Sequence, residues 1–233
     1  MSNNIYPRTI GEEKIVYKGK HFAVGIQQRE LAENVVKEFE QVYRTPGVRI
    51  IVLSADKTKV LLTYEANRYD QKQDDIRIPG GKVYKNVDDY LTAKANGAVN
   101  ADAKLAAIKE LVEEAGLKAE EIEFKEFDLC NGGVDMTLFW YVVIKYSELS
   151  SQKLDPGEYI TTKWVSIDEA IDYCMSNDTG NKINEDRTRG VLLPLLIGIQ
   201  KKALTFNSYF FKKRLTGKEK RQVFWKIRKQ FRD

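Results

Sequence analysis

The segment of residues 109–117, Lys-Glu-Leu-Val-Glu-Glu-Ala-Gly-Leu, does most to narrow the folds open to this chain. At 100° per residue, Glu113 and Glu114 flank Glu110, because i+3 and i+4 neighbours share one helix face. Leu105, Ile108, Leu111, Val112 and Ala115 gather opposite, which predicts the stripe that meets the core. Asn100 or Asp102 is the expected cap at the start, and Gly116 suits a left-handed C-terminal stop. Three carboxylates crowded together weaken an isolated helix. They become useful where a divalent cation sits among them, since hard cations take oxygen ligands. The alternative is a solvated glutamate-rich face.

What surrounds the helix is mostly extended. Residues 14–17 and 21–26 read as strands joined by a Lys-Gly turn, and residues 48–53 and 60–64 as a β-branched hairpin. Residues 35–43 alternate as a strand, with a helix as the alternative. Residues 76–83 form a strand broken at Pro79-Gly80-Gly81, followed by a polar insertion over residues 84–100. Residues 124–129, 136–145 and 162–165 are further strands. Residues 167–171 open a helix, and residues 191–204 form an apolar one. Strands, helix, strands, helices in that order predict an α/β fold, a mixed sheet with helices on its faces.

Several chemistries are excluded early. His21 is the single histidine of the 233 residues, so mechanisms needing a histidine pair are out, and a structural role is expected for it. Cys130 and Cys174 are too far apart in sequence to suggest a disulfide framework or a zinc cluster. The longest apolar run, residues 191–199, is too short to span a bilayer. With no basic-then-apolar leader at the start, a cytoplasmic location is expected. Charge is unevenly spread over the chain, whose formal total is +4. From Lys201 onward twelve basic residues face only Glu219 and Asp233, leaving the rest of the chain acidic. Val223, Phe224, Ile227 and Phe231 recur there at helical spacing. That predicts a basic amphipathic tail packed on its own domain or a second copy, with nucleic acid as the less favoured partner.

The Gly-Gly bend followed by a glutamate-rich helix ending in Ala-Gly-Leu resembles the Nudix family. Its box reads G-x5-E-x7-R-E-U-x-E-E-x-G-U, with U a bulky aliphatic residue. Glu110, Leu111, Glu113, Glu114, Gly116 and Leu117 match the second half, and Gly81 matches the opening glycine. The entry to residues 46–47, the stretch Asn131-Gly132-Gly133-Val134-Asp135, and the Asp155-Pro156-Gly157-Glu158 loop are similar to the ADP-ribose pyrophosphatase branch. There are departures. The upstream glutamate position falls on Ala101, with Asp102 beside it as a candidate substitute, and the family arginine is Lys109. The loop after Gly81 is longer, and Arg77 stands where such relatives carry an acid.

The resemblance implies an α/β/α sandwich over residues 46–204, a dimerising β extension over residues 1–45, and the basic tail over residues 205–233. It implies hydrolysis of a nucleoside diphosphate linked to another group, ADP-ribose or an ADP-sugar, with Mg²⁺ or Mn²⁺ as cofactor. A triphosphate or dinucleotide substrate, or a nucleotide- or RNA-binding module with a weakened site, are the alternatives. By family position Glu110, Glu113, Glu114 and the Gly80 carbonyl hold metal. Glu113 and Glu114 are then catalytic as well, and Glu158 serves as general base from its loop. Arg68 and Tyr69 make a basic–aromatic pair suited to gripping phosphate and stacking a base, with a plain surface loop as the alternative. Lys82 supports the bend or a phosphate, and Asp135 lies in the substrate loop.

Overall fold

The computed structural model describes residues 7–66, 74–129, 133–149, 151–178 and 182–212. The chain opens as an antiparallel meander of β1 (Arg8–Lys18), β2 (Phe22–Ala32) and β3 (Val35–Arg44). Residues 35–43 are therefore strand, not helix. Asn34 makes the tight reversal between β2 and β3 at φ 62°, a left-handed conformation that asparagine tolerates.

Beyond Pro46 come β4 (Gly47–Val52), β5 (Lys59–Ala66), β6 (Asp74–Arg77), α1 (Val87–Ala95) and α2 (Val99–Ala115). Then follow β7 (Leu117–Leu129), β8 (Val134–Asp135), β9 (Thr137–Glu148), β10 (Ile160–Ser166), α3 (Ile167–Met175) and α4 (Asp186–Lys212). β9 pairs parallel with β4 and antiparallel with β7, while β10, β5 and β6 form an antiparallel set. A bridge between Leu53 and Val60 joins the two sets, and β8 extends the meander in parallel with β3.

Side-chain alternation along β4 and β9 builds two cores. Val48, Ile50, Val52, Phe139, Tyr141 and Val143 meet Ala103, Ala107 and Leu111 of α2. Ile51, Leu53, Leu138 and Trp140 point the other way, onto Ile167, Ala170 and Cys174 of α3 and Leu192 and Leu196 of α4. Each such fully buried aliphatic side chain contributes about 1.5–3 kcal/mol. The result is the expected α/β/α sandwich.

Three details depart from the sequence reading. The buried stripe of α2 is Ala103, Ala107, Leu111 and Glu114, whereas Leu105 is 65% exposed. Two alanines, Ala103 and Ala107, and Leu111 form its apolar contact with the sheet. Neither Asn100 nor Asp102 caps α2. The helix begins after Ala98 without a side-chain cap, and Asp102 instead accepts a 2.6 Å hydrogen bond from the Tyr84 hydroxyl. α1 runs almost directly into it through Gly97 at φ 70°, with the Ala98 N–H donating to the Ala93 carbonyl at 2.9 Å. Finally, the insertion over residues 84–100 is largely helical. Asn86 caps α1 by accepting from the Asp89 N–H at 2.9 Å, and Asp88 and Asp89 suit the positive end of the helix dipole.

α1 seats Val87 and Tyr90 against Ala23 of β2, and the Val87 N–H donates to the Lys20 carbonyl at 2.9 Å. Gly116 closes α2 at φ 63°, as expected. The apolar helix is longer than residues 191–204 and holds Pro194 within it. No helix among the described residues is long and apolar enough to cross a membrane. Arg68, Tyr69, Cys130, Asn131, Gly132 and the tail from residue 213 lie outside the described residues.

Candidate active site

After β6 the chain turns sharply at Pro79-Gly80-Gly81, and β4 grips that turn from one side. The Ile50 N–H donates to the Pro79 carbonyl at 2.8 Å and the Val48 N–H to the Gly81 carbonyl at 2.9 Å. The Val83 N–H donates to the Pro46 carbonyl at 2.9 Å. Both glycines are dictated by close approach. A Cβ on Gly80 would stand 2.2 Å from the Val48 carbonyl oxygen. One on Gly81 would stand 2.2 Å from a carboxylate oxygen of Glu110.

The bend thereby brings backbone against the carboxylates of α2. Glu114 is 5% exposed, and its Oε2 accepts from the Gly80 N–H at 2.8 Å. Burial pushes its acid up to about 8; the Gly80 hydrogen bond opposes this, and the charges of Glu110 and Glu65 add to it. Burial likewise raises Glu110 to about 7, with Lys109 opposing and Glu113, Glu158 and Asp155 reinforcing. Glu113 is turned toward Lys109, with which it pairs at 2.5 Å. Lys109 thus has a partner one turn along its own helix, not an upstream carboxylate.

Glu158 reaches this helix through a loop tied to it. The Lys153 N–H donates to the Glu113 carbonyl at 2.9 Å, the Gln152 side chain donates to the Glu114 carbonyl, and the Leu149 N–H donates to the Gly116 carbonyl at 2.8 Å. Gly157 at φ 87° and a 3.0 Å bond from the Glu158 N–H to the Asp155 carbonyl then turn the loop. The charges of Glu158 and Asp155 add to the rise that burial imposes on the Glu110 acid.

Among the described residues, no group of three or more His, Cys, Asp or Glu is arranged to hold a metal ion. The donor chemistry nevertheless fits a hard divalent cation. Glu110 and Glu114 are desolvated, mutually repelling oxygen donors, and a cation between them would relieve both the burial and the repulsion.

The remaining expected contacts are dispersed. Asp135, on β8, accepts from the Tyr90 hydroxyl at 3.0 Å and pairs with Lys94, so it is engaged by α1. Lys82 is exposed and lines a cavity of about 510 Å³ with His21, Phe22, Val42, Arg44, Thr45 and Val134. His21 is exposed there, not packed in a core.

A charged group behind the bend escaped the sequence reading. Arg49 forks onto Glu185 at 2.7 and 2.9 Å, and the Thr188 hydroxyl donates to Glu185 at 2.6 Å. Arg77 pairs with Asp75 and lies 3.6 Å from Glu65, so its departure from the family pattern is matched by local acids. A lone arginine inside the run Val48-Arg49-Ile50-Ile51-Val52 was the available signal, since a buried guanidinium requires a partner.

The NUDIX domain family profile matches residues 43–186, which takes in the bend, α2 and the Glu158 loop. The chain belongs to the Nudix family. It is accordingly a Nudix-type pyrophosphohydrolase, and Nudix hydrolases work with divalent metal ions. The methanol dehydrogenase activator of Bacillus methanolicus is 25% identical to it over 168 residues, 71% of this chain and 82% of that protein. A solved ADP compounds hydrolase shares the Nudix fold, with a TM-score of 0.59 at 16% identity over 85% of this chain and 95% of its own.

Proposed function

We propose that this Nudix hydrolase cleaves the pyrophosphate bond of an ADP-sugar, ADP-ribose above all, with Glu110 and Glu114 holding Mg²⁺. The observation that carries this reading is the buried Glu110–Glu114 pair pressed on the Gly80–Gly81 bend, with the Glu158 loop tied to the same helix. When bound, Mg²⁺, or Mn²⁺ in its place, supplies the Lewis acidity that offsets the diphosphate charge. Gly80 fixes the Glu114 carboxylate through its N–H and offers its carbonyl to the same site. Glu113 joins the site on leaving Lys109.

Glu158 takes the proton from the attacking water; a positioned base contributes about 10²–10⁴-fold. The outward apolar side chains of the meander, Ile15, Val16, Tyr17, Val36 and Phe39, support a homodimer built through the N-terminal strands.

The test is release of phosphate-containing products from ADP-ribose, other sugar nucleotides, dinucleotides and triphosphates in Mg²⁺. Fastest turnover on an ADP-sugar, lost in Glu158→Gln with the fold retained, is expected. Preference for a triphosphate or dinucleotide would replace the substrate assignment. Absence of turnover on all of them, with tight nucleotide binding, would replace the enzyme by a binding module.

A further inference from the structure

The cavity at the foot of the meander has features that the catalytic reading does not use. It lies where β2 and β3 meet the turn beyond Gly81, and Lys82 closes it through a bridge to Gly47. Phe22, Val42 and Val134 give it apolar walls, and His21, Arg44 and Lys82 supply its polar ends. None of the described lining residues is acidic.

Lys20 stands close by, and Lys82, burial, Lys20 and Arg44, in that order, hold the His21 imidazole below its ordinary value. Several cations elsewhere in the fold are matched. Lys18 pairs with Asp88, Arg49 with Glu185, Arg77 with Asp75, Lys94 with Asp135 and Lys109 with Glu113. Among the described residues, Lys20, Arg44 and Lys82 make no such pair.

Like charges gathered with no acid among the described lining residues repel one another. An anion relieves that repulsion. The scissile diphosphate has its own compensation, the metal held by Glu110 and Glu114, so it leaves this second concentration of positive charge unanswered. Lys82 directly follows Gly81, where a Cβ would stand 2.2 Å from a carboxylate oxygen of Glu110, so the cavity and the carboxylates share one turn of the chain. A volume of about 510 Å³ suits a group of sugar or nucleoside size.

We infer that this cavity is a second phosphate subsite, in which Lys82, Arg44 and His21 grip a phosphomonoester carried by the substrate outside its scissile diphosphate. The inference rests on the pyrophosphatase reading for its place in catalysis, but not for binding itself. The apolar walls take the carbon skeleton bearing the phosphate. The favoured substrate class becomes a nucleoside diphosphate whose far group is itself phosphorylated.

The lone histidine gives a direct readout, because its Cε1–H is the one histidine signal of that type from the full-length protein. Ribose 5-phosphate, added without metal at constant ionic strength, should move that signal saturably and raise the His21 pKa, since an anion offsets the lysine and arginine field. Ribose should do neither. Arg44→Gln and Lys82→Gln, both at exposed positions, should weaken binding by about tenfold or more, the scale of a charged hydrogen bond. With turnover, ADP-ribose phosphorylated on its terminal ribose should show a lower KM than ADP-ribose, and Lys82→Gln should erase the difference.

A histidine signal unmoved by ribose 5-phosphate, or moved equally by ribose, overturns the subsite even if ADP-ribose is hydrolysed. A saturable response in a protein that hydrolyses no pyrophosphate overturns the catalytic reading and leaves the subsite standing.

Discussion

Replacing Glu114 with Gln should make the metal-free protein more stable while abolishing its chemistry. Burial lifts the Glu114 acid from 4.5 to about 8 in the folded state. The folded chain therefore holds a proton that the unfolded chain gives up, and stability is full below about pH 4.5 and lost as pH rises through about 8. At pH 7 the gap between pH and the unfolded value, at 1.36 kcal/mol per unit, amounts to about 3 kcal/mol. Gln keeps an oxygen for the Gly80 N–H, which now bonds Glu114 at 2.8 Å, and carries no charge.

In EDTA at pH 7 the variant should melt roughly 6–12 °C higher, at about 2–4 °C per kcal/mol for a chain of this size. Its Tm should also change less between pH 5 and 9. Added Mg²⁺ should raise the wild-type Tm and leave the variant almost unmoved, and hydrolysis should fall by about 100-fold or more. Thermal denaturation of both proteins with and without Mg²⁺ across this range decides the matter. A Gln variant less stable than wild type in EDTA, or one with the same pH slope, would refute the reasoning.

The two glycines of the bend should separate folding from catalysis. Gly80→Ala sets a methyl against the Val48 carbonyl and should lower Tm sharply, by about 1–3 kcal/mol of overpacking. Gly81→Ala meets only the movable end of Glu110, so it should melt near wild type yet lose most turnover. Arg49→Met should destabilise the fold by about 3 kcal/mol, read by urea unfolding, because it strands Glu185 without its partner. Burial pushes Glu185 up, but Arg49 and Thr188 outweigh it and hold the carboxyl below 4.5. That contribution is present above about pH 4.5 and lost as pH falls through the lower folded value. Replacing both Arg49 and Glu185 by Met should therefore remove part of the protein's acid sensitivity.

Local chemistry made much of the fold legible in advance. The β-branched runs, the Pro-Gly-Gly bend and the glycine stop at Gly116 each act within a few residues, so their elements stand where pattern places them. Which face of α2 turns inward was legible only in part, since Leu111 and Ala115 of the expected stripe meet the core but Leu105 does not. Hydrophobicity favours Leu105 inside and Glu114 outside, and the structure reverses both because the bend supplies a hydrogen-bonded berth for one carboxylate. The insertion carries a readable cap at Asn86, but its glycine and asparagine content masks the helix between. At the candidate site, the box singled out Glu110 and Glu114, which the structure sets against the Gly80–Gly81 bend, while the Arg49–Glu185 pair and the cluster at His21 and Arg44 join residues remote in sequence. Their partners are set by how the sheet and the meander meet, which no local pattern encodes.

The grip of β4 on the bend has a kinetic meaning. The Val48 and Ile50 amides that hold Gly81 and Pro79 belong to residues at the centre of a core. Such amides should exchange with solvent only on global opening, so the bend should rank among the slowest segments to open, a point that amide exchange checks. Substrate arrival cannot be waiting on that segment to order. A step that paces turnover should then lie in parts anchored less deeply, such as the surface pair of Glu113 with Lys109.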